Sequence, residues 1–127
     1  MATQTIIGRL QKLKLAYGLS AQSIIYLGQD GDATAESASA NAPAQELTTG
    51  GCGRTAASVA DVSSGTVTAM KLTWNLTFTG DNVIRALFGS WSNAPGQNMA
   101  WRHVMSLAQA VGQNDQMTVT VTDTLNG

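Results

Sequence analysis

The chain is predicted to be all-β, a β-sandwich or jelly-roll-like barrel. Three observations predict it. Residues 66–78 place Met70, Leu72, Trp74, Leu76 and Phe78 on one parity and Ala69, Lys71, Thr73, Asn75 and Thr77 on the other. A period of two sends successive side chains to opposite faces of a strand, whereas at a helical period the same apolar residues scatter round the cylinder. Further apolar runs of strand length follow, separated by short polar turns.

At 127 residues the sequence reads as a single domain, 1–127. A chain of that size can bury roughly two-thirds of its unfolded surface. Residues 1–20 read as an extended N-terminal arm or edge strand, 28–53 as a long Gly/Ala/Ser-rich loop, and 54–127 as the β core.

Taken in order, Ile6, Ile7, Leu10 and Leu13 would line one side of a short helix, while Leu13, Leu15 and Tyr17 alternate as a strand would. We read an arm or strand over 12–17, ended by Gly18. Residues 23–27 form a compact buried-strand candidate, stopped by Gly28. The stretch 28–53 holds Asp30-Gly31-Asp32, an Ala/Ser run over 33–42, Pro43 and Gly50-Gly51-Cys52-Gly53. Structureless stretches of this length are uncommon inside compact domains, so it is read as either mobile or laid across something. A strand is expected over 55–62, a turn at 63–65, the long strand at 66–78 and a tight turn at 79–82. Residues 83–91 are nearly all apolar and read as a strand buried on both faces. A loop over 92–97 leads to a strand over 98–107, in which Met99, Trp101, His103 and Met105 alternate with Ala100, Arg102 and Val104. After a turn at 112–116, Met117, Val119 and Val121 alternate with Thr118, Thr120 and Thr122 in a closing strand.

Charged residues make up 12% of the chain, about half the usual share. A neutral, poorly charged surface favours association. Net charge is −1, which argues against direct nucleic-acid binding. No apolar run reaches the ~18–20 residues that cross a bilayer, so no membrane partner is expected. Arg9, Lys12 and Lys14 are not followed by the apolar stretch of a signal peptide. Residues 1–29 carry those cations and no acid, and residues 30–53 carry Asp30, Asp32, Glu36 and Glu46 and no cation. A solvated surface is the plain reading. The sharper one has a basic arm meeting the acidic segment of a neighbouring copy.

Chemistry-bearing patterns are weak. Asp30-Gly31-Asp32-Ala33-Thr34 matches the Asp-x-Asp-x-Thr pattern of haloacid-dehalogenase-like phosphatases, but the rest of the chain lacks room for that fold, and a polar turn is the better account. Gly50-Gly51-Cys52-Gly53-Arg54-Thr55 lacks the Lys-Ser/Thr of a phosphate loop. Asn75-Leu76-Thr77 fits a glycosylation sequon inside a strand and reads as chance. Cys52 is the sole cysteine and His103 the sole histidine, which excludes a thiolate cluster and a multi-His site. His103 reads as structural and half-buried. No catalytic residue, cofactor site or metal site is expected, and no enzyme activity. Trp74 and Trp101 read as core. Trp91, beside a Gly/Asn/Pro loop, is the aromatic to suspect of touching a partner; the alternative has Trp74, Trp91 and Trp101 with Tyr26 lining a sugar-stacking face.

The Thr-rich strand Leu72-Thr73-Trp74-Asn75-Leu76-Thr77-Phe78, the apolar block Val83-Ile84-Arg85-Ala86-Leu87-Phe88-Gly89, Met99-Ala100-Trp101-Arg102 and the closing Met117-Thr118-Val119-Thr120-Val121-Thr122 resemble in texture the small β-structured virion proteins of bacteriophages. The resemblance spans residues 45–122 and implies a virion building block, located on the particle. The expected role is a capsid cement or decoration protein, with a neck, tail or fibre component and a carbohydrate- or receptor-binding module as alternatives. The implied partners are copies of itself, as a trimer or higher, and the phage major capsid protein or other virion proteins.

Overall fold

A computed structural model describes residues 3–4, 25–33, 41–62 and 69–124. Among them it contains strands and no helix: β1 (Thr3–Gln4), β2 (Tyr26–Asp30), β3 (Glu46–Leu47), β4 (Thr55–Ala56), β5 (Ser58–Asp61), β6 (Ala69–Thr77), β7 (Asn82–Ser90), β8 (Met99–Val111) and β9 (Gln116–Thr124). They form two antiparallel sheets. The larger runs β1-β8-β7-β2-β3, with β4 also pairing β2, and the smaller runs β5-β6-β9.

The alternation in β6 orients the small sheet. Leu72, Trp74, Leu76 and Phe78 are buried, while Lys71, Asn75 and Thr77 are exposed. The buried row meets Leu27 of β2 and Ile84 and Leu87 of β7 in one apolar core, so the two sheets pack face to face, an arrangement compatible with a sandwich. The Trp74 indole Nε1 donates to the Ile25 carbonyl at 3.0 Å, which ties the sheets together and satisfies a buried donor.

β7 is buried on both faces from Ala86 to Ser90, as its near-continuous apolar run requires. Its second face lies away from the small sheet. There Ala86, Phe88, Ser90, Ala100 and Arg102 are buried although none belongs to the central core.

Four sequence-based expectations change. Of the strand expected at 23–27, residues 23 and 24 lie outside the described residues, and the described part belongs to β2, Tyr26–Asp30, which runs through Gly28 rather than stopping there. Phe88 explains this: a Cβ on Gly28 would sit 2.1 Å from the ring's Cζ, so the glycine makes room for an aromatic on the facing strand. The loop expected over 28–53 accordingly yields its first residues to β2 and also contains β3. The single strand expected over 55–62 is divided. β4 pairs with β2 in the large sheet and β5 with β6 in the small one, with Ala57 N–H bonded to the Ile25 carbonyl at the crossing point. Finally, Met99 does not share its row with Trp101. Gly89 opposes Trp101 but Ser90 opposes Met99, so one extra β8 residue at Ala100 breaks the alternation. The expected arm over 12–17 and its helical alternative, residues 34–40 of the Ala/Ser run, the turn at 63–65 and residues 66–68 of the long strand lie outside the described residues.

Candidate functional site

Two places concentrate side chains capable of recognition, and they differ in chemistry. The first is the outer face of the large sheet. Asp30, fully buried, accepts backbone N–H groups from Asp32 (2.9 Å) and Gln45 (2.9 Å) on Oδ1 and from Ala44 (3.0 Å) on Oδ2. Oδ2 also accepts from Arg102 Nη1, and Arg102 Nη2 donates to the Asp32 carbonyl at 2.6 Å. Beside this pair, Arg54 holds Glu46 through both Nε and Nη2 at 2.9 Å, a two-pronged match of guanidinium to carboxylate. Its Nη1 donates to Ser90 Oγ (2.9 Å) and the Ser92 carbonyl (3.2 Å), and its guanidinium lies 5.1 Å from the Phe88 ring centroid. Glu46 Oε1 also accepts the Gly96 N–H at 2.9 Å. These bonds fasten the loops 41–54 and 91–98 to the sheet.

Thus Asp30-Gly31-Asp32 is a loop-fixing element whose first carboxylate is saturated with donors. Two of the four acids read as a charged surface, Asp30 and Glu46, are neutralised by arginines of the same chain. That reduces the charge available to a neighbour's basic arm.

The second place is the open margin between the sheets. β8 and β9 flank a groove of about 880 Å³ lined by Leu87, Trp101, His103, Met105, Leu107, Met117, Val119 and Val121, among others. Its shape follows from two features of β8. Trp101 lies flat on bare backbone, since a Cβ on Gly89 would meet its Nε1 at 2.1 Å. Further on, the pairing passes from Ala86↔Val104 to Ile84↔Gln109, so β8 advances five residues while β7 advances two. The extra residues bulge outward and leave Leu107 73% exposed. β9 holds an unbroken register with β6 from Ala69↔Thr124 to Thr77↔Gln116, which leaves Met117, Val119 and Val121 half-buried and Thr118, Thr120 and Thr122 exposed, all six along the groove.

The residues singled out from the sequence are not assembled into one centre. Cys52 is buried in the apolar core, where burial pushes its thiol up and keeps it protonated, and it does not line the groove. His103 is half-buried on the groove wall. Trp74 is core. Trp101 is half-buried, packing on the core with one side and lining the groove with the other, whereas Trp91 is half-buried at the end of β7 and lines no part of the groove. Among the described residues no group of three or more His, Cys, Asp or Glu side chains could hold a metal ion. The groove offers apolar contact and hydroxyl and imidazole groups, which suits binding.

The groove and the two arginine pairs were not foreseen in the sequence. The apolar rows at 101–105 and 117–121 were visible, but their adjacency depends on β9 crossing to the other sheet. Compared with known protein families, curated proteins and solved structures, the chain finds no match in any of the three.

Proposed function

We propose that this protein is a structural component of a bacteriophage virion, a capsid cement or decoration subunit that acts by contact with copies of itself and with the shell. The observation that supports this reading most is the open β8–β9 margin: an apolar groove and an exposed Leu107 on a chain with little charge to keep neighbours away. A lattice subunit works by covering such margins, and weak contacts repeated by symmetry add up to large avidity. The rigid two-sheet body, read as a β-sandwich, would carry the contacts, with residues 1–20 as the docking arm. In this reading the protein catalyses nothing.

Quantitative mass spectrometry of purified particles tests it. Copies comparable in number to the major shell protein are expected for cement. A small fraction of that number assigns the chain to neck, tail or fibre, and its absence from particles overturns the proposal. Carbohydrate or receptor binding is the second reading, favoured by Trp91, half-buried beside the loop that Arg54 and Glu46 hold in place. Trp91→Ala would then abolish glycan binding while particles stay intact.

A further inference from the structure

We infer that β9 is a self-association strand: two copies pair β9 against β9 in antiparallel fashion about a twofold axis at Thr120, joining their small sheets into one and closing the two grooves against each other. The inference rests on the homo-oligomeric part of the function proposed above and specifies its elementary contact.

Exposed sheet edges are normally guarded by shortness, by Lys or Pro, or by a bulge. β9 has none of these. Among the described residues it ends its sheet; it is nine residues long, contains no Lys, Arg or Pro and a single charge, Asp123 near its end, and pairs with β6 without a register shift. The other margin of the small sheet, β5, is only four residues long.

Charge selects the occupant. Among the described residues that line the groove none is Asp, Glu, Lys or Arg, so a heavily charged partner strand would lose its hydration with nothing in return. A second β9 brings none of these over 116–122, and its one acid, Asp123, falls near the end of the strand. About a twofold axis at Thr120, Thr118 opposes Thr122 and Met117 opposes Asp123, so no like charges meet.

Area supports the same occupant. A nine-residue strand spans roughly 30 Å, and two layers about 10 Å apart with their side chains make a margin about 20 Å wide. Covering it buries on the order of 600 Å² per copy, which reaches the lower end of stable interfaces. Leu107, on the rim, would be covered in the same step.

Sedimentation equilibrium of the full chain is the test. The expected result is a dimer that dissociates on dilution, with Thr120→Lys raising the dissociation constant at least about tenfold, because two lysines would face each other across the axis. Mixing Thr120→Lys with Thr120→Glu should restore association as a mixed dimer. Leu107→Ser, at an exposed site, should loosen the dimer without altering the fold and serves if the lysine variant fails to fold. A monomer at all concentrations, an assembly with an odd number of copies, or a dimer indifferent to both substitutions overturns the inference. A dimer of this kind from a chain absent from virions would overturn the proposed function and leave the pairing intact.

Discussion

The outer face of the large sheet and the margin between the sheets treat polar groups in opposite ways. On the outer face, Asp30 with Arg102 and Glu46 with Arg54 occupy buried or half-buried positions, each carboxylate filled by several donors. At the β8–β9 margin the described residues that line the groove include no Asp, Glu, Lys or Arg: Trp101, His103, methionines, valines and an exposed leucine alternate with Ser106, Gln109 and the threonines of β9. A chain with 12% charged residues commits four of them to fastening loops and leaves its longest small-sheet edge unguarded. The contrast teaches that scarce charge here fixes internal geometry, while an uncharged margin is left for contact.

The largest expected effect comes from breaking the fastened side. Asp30→Ala strands the Arg102 guanidinium and the Ala44 and Gln45 amides and should cost about 3–5 kcal/mol in denaturant unfolding. Replacing both partners, as Asp30→Leu with Arg102→Met, should recover part of that loss, since no buried charge is then left unpaired. A cost below about 1 kcal/mol for Asp30→Ala would mean that water already satisfies these groups.

Next in size is Gly89→Ala. The methyl would collide with the Trp101 indole and should cost about 1–3 kcal/mol while changing tryptophan fluorescence, because the groove wall must shift. Unchanged fluorescence would show that the indole does not rest there.

A smaller effect is expected from Cys52. Its folded-state pKa is raised by burial, so the unfolded chain holds fewer thiol protons once pH passes the ordinary value of about 8.5. Stability should be unaffected by this group below that pH and should fall above it, by at most about 1.4 kcal/mol per pH unit until the folded thiol ionises. Cys52→Ala should flatten this alkaline slope, and chemical unfolding at pH 7 and 9.5 would show it.

Smallest is the effect of Leu107→Ser on monomer stability. At 73% exposure it should stay within about 0.5 kcal/mol, in contrast with Asp30→Ala.

Much of the body was legible because period-two alternation states which face is buried. Leu72, Trp74, Leu76 and Phe78 are core for that reason, and the run at 83–91, interrupted only by the polar Arg85 and Ser90, is buried on both faces from Ala86 to Ser90. Register was not legible. The β8 bulges at Ala100 and at 105–108 are set by what β7 presents opposite them, and the change of sheet at Ala57 needs the Ile25 carbonyl beside it. Asp30 and Arg102 are 72 residues apart, as far as composition alone is concerned two unrelated charges. The groove was hidden for the same reason, since its walls come from strands of different sheets.

Hydrogen exchange at two protein concentrations tests the central claim most directly. If the uncharged margin is a contact surface, alternate amides of β9 between 117 and 123 should gain about tenfold protection at high concentration, while the amides of β3 and β4 do not change. Protection along β9 that is the same at both concentrations would contradict the account.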